Sequence, residues 1–165
     1  MMADERMNAF IDSLDTGNTP FLNEIEREAI KTNVPIIRRQ VQSLIRLLLA
    51  MQKPSSILEV GCAIGFSALL MSEYAPENCH ITTIEKYEKR IPVARENFRR
   101  AGREDRITLL EGDAADILKE LDGVYDLIFM DAAKGQYIHF LPDILRLLPK
   151  GGILLSDKVL QDGDI

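Results

Sequence analysis

The chain has 165 residues, of which 46% are hydrophobic and 28% are charged, and its formal net charge is −6. This size and composition predict one globular domain, and the acidic balance argues against binding of polyanions by the whole surface. The chain has only two cysteines. It has no apolar run near the roughly 20 residues that span a bilayer, and its acidic N-terminus carries no export signal. We therefore expect a cytoplasmic protein without membrane contact.

The first part of the chain has the pattern of helices. Residues 4–14 and 22–31 read as short helices, and a third helix follows the segment 34–37. The apolar residues of the third helix recur at helical spacing and predict one buried face, made of Val41, Leu44, Ile45, Leu48 and Met51. We treat the chain as one domain, with N-terminal helices over residues 1–52 and a core over residues 53–165.

Within the core, short apolar strands alternate with helices. The predicted strands are 57–61, 81–85, 107–111, 126–131 and 152–156. The helices between them are 65–75, 88–101, 114–121 and 137–148, and the last has an apolar face of Ile138, Leu141, Ile144, Leu145 and Leu148. This alternation predicts an α/β fold with a doubly wound, mainly parallel sheet that helices cover on both faces.

Glycine or an acidic residue stands at the end of each predicted strand. These positions are Gly61, Glu85, Glu111-Gly-Asp113, Asp131 and Ser156-Asp157. Ligands of doubly wound sheets bind outside the carboxyl ends of the strands. Because a purely structural sheet does not need acids at so many ends on one side, we predict that the functional site lies at this edge.

The stretch 57–71 contains a strand, a glycine turn and a helix, a layout that lets the main chain approach a nucleotide-like ligand. Ala63 holds the place of the middle glycine of the fingerprint G-x-G-x-x-G, which disfavours a nicotinamide or flavin cofactor. Glu85, twenty residues after Gly65, can accept both hydroxyls of a ribose. Glu59 is the exception in its apolar strand, because a buried carboxylate is costly unless it is paired or faces a ligand.

Together these motifs resemble class I S-adenosylmethionine-dependent methyltransferases, and more narrowly the metal-assisted O-methyltransferases of the catechol and caffeoyl-CoA type. The segments that carry the resemblance are Glu59-Val-Gly61-x-x-x-Gly65, Glu85, Glu111-Gly-Asp113-Ala114, Asp131-Ala-Ala-Lys134 and Ser156-Asp157. The resemblance extends from about residue 34 to the end and implies the Rossmann-like methyltransferase fold. Within this branch the chain is most similar to bacterial enzymes that methylate 5-hydroxyuridine in transfer RNA.

The resemblance implies S-adenosylmethionine as the cofactor and a set of residues that bind it. This set is Ile37, Glu59, Gly61, Gly65, Ser67, Glu85, Asp113, Ala114 and Asp131. The two glycines and Ser67 would surround the methionine end, and Glu85 would hold the ribose. Asp113 and Ala114 would bracket the adenine, and Ile37 would close over the cofactor.

The resemblance also implies how the acceptor hydroxyl is activated, since methyl transfer needs a deprotonated and aligned oxygen. Asp131 and Asp157 would hold Mg²⁺, which lowers the pKa of the hydroxyl and orients it. Lys134 would be the general base, and Asp131 would act with it in catalysis. Tyr137 could line the acceptor pocket, or it could simply be the first apolar residue of its helix.

One residue departs from the family pattern. In these families the Ser-Asp pair is followed by asparagine, a neutral oxygen ligand, whereas Lys158 follows Asp157 here. An ammonium group has no lone pair and cannot bind a metal. We therefore expect weakened or absent Mg²⁺ binding, with the lysine charge between Asp131 and Asp157. The alternative is that Lys158 points away and water fills its ligand position.

The chain ends soon after the fifth predicted strand, whereas members of the family continue through two more strands and a helix. A fifth strand left at the edge of the sheet would be an aggregation hazard. We therefore expect that the sequence is an incomplete version of a longer protein, the alternative being another chain that covers this edge.

These observations favour an O-methyltransferase that acts on 5-hydroxyuridine in transfer RNA or on a small catechol-like phenol. Two other classes stay open. Lys158 favours a cofactor-binding protein that no longer catalyses. The other class is a nucleotide-dependent oxidoreductase, and Ala63 argues against it. If Arg38 and Arg39 lie beside the pocket, they could receive an RNA backbone. The resemblance further implies a homodimer, with the N-terminal helices as candidates for the contact.

Overall fold

The computed structural model describes residues 5–132 and 134–159, apart from the side chains of residues 5, 8 and 134. The helices are α1 (Glu5–Ser13), α2 (Pro20–Lys31), α3 (Arg39–Gln52), α4 (Phe66–Tyr74), α5 (Ile91–Arg100), α6 (Ala114–Glu120) and α7 (Tyr137–Leu147). The strands are β1 (Ser56–Val60), β2 (His80–Glu85), β3 (Ile107–Glu111), β4 (Leu127–Met130) and β5 (Ile153–Ser156), and a 3₁₀ turn, Lys134–Gln136, precedes α7. In these two ranges no helix has the length and apolar character needed to cross a membrane.

All five strands are parallel and lie in the order β3-β2-β1-β4-β5. β1 is central: its Ile57 lies opposite Ile81 of β2 on one side and opposite Leu127 of β4 on the other. The chain leaves β1 towards β2 and β3, then returns to the far side of β1 to form β4 and β5. The predicted doubly wound sheet is therefore confirmed, and its topological switch point lies between β1 and β4.

Two apolar clusters cover the two faces of the sheet. Helices α2 to α5 supply the first cluster, with Ile25, Ile45 and Phe98 among its buried side chains. Helices α6 and α7 supply the second cluster, which includes Leu118 and Ile144. Because α4 is packed between the sheet and the helices α2 and α3, its residues 66–72 are all buried.

Helix α3 buries a different face from the one predicted. Its buried residues are Gln42, Ile45 and Leu49, while Leu44, Leu47 and Met51 are exposed. The helix is apolar over most of its second half, so two adjacent faces both carry apolar residues at helical spacing. Contact with α4 selects the stripe that includes Gln42, whose amide makes hydrogen bonds in the core.

Helix α7 shows the same kind of difference. Its buried residues are Phe140, Ile144 and Leu147, whereas Ile138 and Leu145 of the predicted face are exposed. Only Ile144 belongs both to the predicted face and to the buried one. The period identifies the helix correctly, but the neighbouring α6 and the sheet determine which stripe is covered.

Helix α5 holds the loop that follows β1. Asn97 is 1% exposed, and its Nδ2 donates to the main-chain oxygen of Ile64 at 2.9 Å. The ring of the next residue, Phe98, lies only 2.5 Å from where a Cβ at Gly65 would stand. Glycine at position 65 therefore lets the loop and α5 approach each other closely.

We expect Asn97→Ala to destabilise the protein by about 1–3 kcal/mol, because the buried carbonyl of Ile64 would lose its donor. Unfolding in urea, followed by circular dichroism, measures this change. Glu96→Ala, on the exposed face of the same helix, is the control and should change stability by less than about 0.5 kcal/mol. Equal effects of the two substitutions would contradict the anchoring role of Asn97.

Candidate active site

A cavity of about 820 Å³ opens at the carboxyl edge of the sheet. Its walls are formed by residues 35–37, by the turn after β1, by residues 84–87 at the end of β2, by residues 112–115 and by Asp131 after β4. This volume is in the range of pockets that hold cofactors and small ligands. The cavity lies at the edge of the sheet where the sequence places the site.

Most of the residues proposed from the sequence line this cavity: Ile37, Gly61, Ser67, Glu85, Asp113, Ala114, Asp131 and Lys158. Glu59 and Gly65 lie outside its lining and contribute to the packing beneath the turn. Asp157 lies next to Lys158 but does not line the cavity. The proposed base, Lys134, begins the 3₁₀ turn, and its side chain is outside the described part of the chain.

The glycine turn is held by contacts within the chain itself. Gly61 has φ 102°, and a Cβ at this position would collide with the main-chain oxygen of Asp131. The amides of Gly61 and Cys62 both donate to the oxygen of Ile84, at 3.0 and 3.1 Å. Glycine at position 61 thus makes room for the main chain of Asp131, and its place in the cavity lining is compatible with the predicted contact with a cofactor.

Glu85 has a carboxylate that is fixed by main-chain donors. Its Oε2 accepts from the amide of Ala63 at 2.6 Å, and its Oε1 accepts from the amides of Lys86 and Tyr87 at 3.0 and 2.8 Å. Ala63, which stands in the place of the missing glycine, has a left-handed φ of 49°. The hydrogen bond from its amide to Glu85 accounts for this conformation. Because each carboxylate oxygen has two lone pairs and Oε1 already accepts two amides, Oε2 can still accept one hydroxyl donor in the cavity.

Glu59 is fully buried in β1. The hydroxyl of Thr83 donates to its Oε2 at 2.5 Å, whereas its Oε1 has no partner among the described residues. Burial raises the pKa of Glu59 to about 7, and the negative charges of Asp131 and Glu85 act in the same direction. The hydroxyls of Ser67 and Thr83 oppose this rise in pKa. The side chain is therefore a neutral acid in mildly acidic solution.

The segment 35–37, which forms one wall of the cavity, is anchored by a residue that the sequence analysis missed. Gln42 of α3 is fully buried, and its Nε2 donates to the main-chain oxygen of Ile37 at 3.0 Å. Its Oε1 accepts from Asn18 at 2.7 Å. The only signal in the sequence was a polar residue within an apolar helix, and this pattern does not reveal its partner.

Asp131 and Lys158 form an ion pair at the cavity wall. The Nζ of Lys158 donates to Oδ1 of Asp131 at 2.5 Å, and the Asp131 side chain is only 11% exposed. Burial raises the pKa of Asp131, and the charge of Asp157 also raises it, while Lys158 lowers it. The lysine is therefore the positive charge that favours the ionised form of this carboxyl group.

Tyr137 connects the ends of two strands. Its hydroxyl lies 3.1 Å from the oxygen of Met130 and 3.0 Å from that of Asp157, and it donates to these carbonyls. Burial, together with the charge of Asp131, raises the pKa of the phenol to about 12. Tyr137 is half-buried against the second cluster and does not line the cavity, so it holds the strand ends that carry Asp131 and Lys158.

The residues present do not fit a divalent ion at the position that the resemblance implies. The ammonium of Lys158 lies against the Asp131 carboxylate, where its positive charge opposes a cation, and it supplies no lone pair. Within residues 5–132 and 134–159, no group of three or more His, Cys, Asp or Glu side chains could hold an ion. By contrast, the cavity and the fixed carboxylate of Glu85 fit a nucleoside such as that of S-adenosylmethionine.

Gly61→Ala should destabilise the protein by about 2 kcal/mol or more, because the added Cβ would force the ends of β1 and β4 apart. The thermal shift produced by S-adenosylmethionine should also disappear. Gly102→Ala is the control: its φ of 61° is also left-handed, but no atom lies within 4 Å of the added carbon. An unchanged thermal shift in Gly61→Ala would contradict the role assigned to this contact.

Stability should fall as pH rises from about 5 to about 7, because Glu59 keeps its proton in the folded state after the unfolded chain has lost it. The pKa of Glu59 is about 7 in the folded state, compared with an ordinary value of 4.5. The free energy of unfolding should therefore fall by about 3 kcal/mol and then stay constant at higher pH. Glu59→Gln should remove this part of the pH dependence. Urea unfolding across this range measures it, and parallel curves for both proteins would contradict the assignment.

Comparison with known proteins identifies the family of the chain. The sequence model of a family described as O-methyltransferase matches residues 12–165. A catechol O-methyltransferase from Mycobacterium tuberculosis is 31% identical over 162 residues, which is 96% of this chain and 74% of that protein. One from Niastella koreensis is 34% identical over 125 residues, which is 73% of this chain and 57% of that protein.

Solved structures show the same relationship. The S-adenosylhomocysteine-bound methyltransferase PaMTH1 of Podospora anserina is 36% identical and superimposes with a TM-score of 0.84, covering 92% of this chain and 68% of its own. A Bacillus cereus O-methyltransferase, also bound to S-adenosylhomocysteine, has a TM-score of 0.86 at 24% identity, which supports the fold. The chain therefore belongs to the O-methyltransferase family of class I S-adenosylmethionine-dependent methyltransferases.

Proposed function

We propose that this chain transfers the methyl group of S-adenosylmethionine to a hydroxyl of a small catechol-like phenol. The observation that carries the proposal is that one cavity is lined both by the fixed carboxylate of Glu85 and by the ion pair of Asp131 and Lys158. The first group suits a nucleoside and the second suits a reacting hydroxyl. Several relatives are named catechol or caffeoyl-CoA O-methyltransferases, which supports this acceptor class.

The binding of the cofactor follows from groups that the fold has already oriented. Glu85 would accept a ribose hydroxyl at Oε2, since three main-chain amides hold its carboxylate in place. Asp113 caps α6 by accepting from the amide of Ala115 at 2.9 Å, and it also pairs with Lys86 at 3.3 Å. Because its carboxylate is engaged in this way, we expect the adenine to meet the main chain of Asp113 and the methyl group of Ala114.

The chemistry at the acceptor requires a proton to leave and an oxygen to be aligned. When bound, S-adenosylmethionine supplies a methyl group activated by its positive sulfur. The acceptor oxygen would form its bond to the methyl carbon as the carbon–sulfur bond breaks, and the hydroxyl proton would pass to Lys134, the predicted base. Asp131 and Lys158 lie at the cavity wall, where they can orient the hydroxyl before it reacts.

A transfer-RNA acceptor is the second candidate. Residues 35–37 line the cavity and lead directly into Arg38, which precedes α3 and is exposed, so a basic side chain lies beside the pocket. Arg39, by contrast, pairs with Glu26 at 3.4 Å. The 5-hydroxyuridine acceptor, the homodimer and the cytoplasmic location all stay predictions from the sequence.

The acceptor is tested by incubating the purified protein with S-adenosylmethionine carrying a labelled methyl group and either catechol or hydroxyuridine-containing transfer RNA. We expect labelled methoxyphenol, detected by mass spectrometry. Labelled transfer RNA without labelled phenol would establish the second candidate instead. Tight cofactor binding with neither product would show a protein that no longer catalyses.

The variant Glu85→Gln should raise KM for S-adenosylmethionine about tenfold or more, because a charged acceptor of a ribose hydroxyl is lost. Steady-state kinetics with catechol measure this effect. Glu111→Gln is a matched control: Glu111 ends the adjacent strand β3, pairs with Arg95 at 2.5 Å and does not line the cavity. An equal change of KM in the two variants would contradict the ribose-binding role of Glu85.

A further inference from the structure

Lys158 reaches into the site from the end of the last described strand. It follows β5 and Asp157, it lines the cavity, and its Nζ donates to Oδ1 of Asp131 at 2.5 Å. The side chain of Asp131 is 11% exposed and that of Lys158 is 49% exposed. The carboxylate therefore lies inside the wall, and the cation extends towards it from the rim.

The ammonium retains donors for a further partner. A lysine ammonium has three N–H groups and no acceptor. One of these N–H groups donates to Asp131. Among the residues that the structure describes, Nζ of Lys158 has no other hydrogen-bond partner. Two donors therefore remain for an oxygen atom in the cavity that Lys158 lines.

The position that the ammonium occupies is one that a metal ion would need. A divalent ion held by Asp131 and Asp157 would share the Asp131 carboxylate with Lys158, whose ammonium already contacts its Oδ1. Two positive centres cannot share that oxygen at contact distance without strong repulsion. The same cation also offsets the charge of Asp131, so the site already contains one of the two positive charges that a divalent ion would bring.

We propose that the Lys158 ammonium replaces the divalent ion, by neutralising Asp131 and donating a hydrogen bond to the acceptor oxygen, so that methyl transfer proceeds without a metal. This inference rests on the proposed function. The bonds made and broken are unchanged: the oxygen gains the methyl carbon, the carbon–sulfur electron pair leaves with sulfur, and the hydroxyl proton goes to the base. Lys158 stays charged throughout and exchanges no proton.

The backbone at this position makes a clean test possible. Lys158 has φ 57°, in the left-handed region that asparagine adopts more readily than most residues. Lys158→Asn should therefore fold, and it places a neutral oxygen ligand beside Asp131 and Asp157. Lys158→Met removes the charge without adding a ligand. Lys150→Asn, at the opposite end of β5, makes the same change of net charge away from the site.

Metal binding is measured by titrating Mn²⁺ and following the free ion by electron paramagnetic resonance. The wild-type protein and Lys150→Asn should show no saturable site at millimolar ion concentrations. Lys158→Asn should bind Mn²⁺ about tenfold more tightly or better, and this binding should be lost when Asp157→Asn is added. Wild-type binding as tight as that of Lys158→Asn would overturn the proposal.

Activity with catechol gives the second readout. The wild-type rate should be unchanged by EDTA. Both Lys158→Asn and Lys158→Met should lose about 100-fold in kcat in EDTA, and Mg²⁺ should restore only the asparagine variant. Loss of wild-type activity in EDTA, or full activity of Lys158→Met, would overturn the proposal.

The two proposals fail in different ways. Methylation of catechol that requires Mg²⁺ would leave the proposed function intact and remove the role of Lys158. Absence of any methylated product would remove the proposed function, and the Mn²⁺ titration would still decide whether Lys158 excludes an ion, because it needs no acceptor.

Discussion

The close main-chain contact between Gly61 and Asp131 is the constraint on which the site depends. The amide of Asp131 donates to the oxygen of Val60 at 2.9 Å, and its carbonyl lies where a side chain at position 61 would stand. The turn after β1 and the acid after β4, which both line the cavity, are thus joined through backbone atoms at the switch point of the sheet. A site built in this way depends little on flexible side chains for its geometry.

Several carboxyl groups lie at the same edge of the sheet, and each has different surroundings. The carboxylate of Glu85 accepts hydrogen bonds from three main-chain amides. Glu59 is buried with an unpartnered oxygen, and its pKa rises to about 7, so protonation removes its charge in mild acid. Asp131 keeps its charge beside an ammonium. Desolvation is the largest cause of the raised pKa at both Glu59 and Asp131, and only at Asp131 does a neighbouring ammonium oppose it.

The sequence predicted the order of the elements and the edge that carries the site, because strand and helix periods are set by neighbouring residues. It did not predict which face α3 or α7 buries, since adjacent stripes on each helix are apolar. It also missed Gln42 and Asn97, whose partners are the main-chain oxygens of Ile37 and Ile64. For Asn97 that partner lies 33 positions away, so only the folded chain reveals the contact. Local sequence patterns indicate helices and strands, whereas the partners of buried polar side chains depend on tertiary packing.

A lysine in place of an ion affects which acceptor the site suits. One ammonium charge offsets one of the two carboxylates, Asp131 and Asp157, whereas a divalent ion offsets both. The remaining negative charge disfavours an oxyanion beside it, so this site lowers the pKa of an acceptor hydroxyl less than a metal would. A phenol, whose pKa is about 10 as in tyrosine, needs much less stabilisation than an aliphatic alcohol. The departure at position 158 therefore favours an acidic, phenol-like hydroxyl as the acceptor.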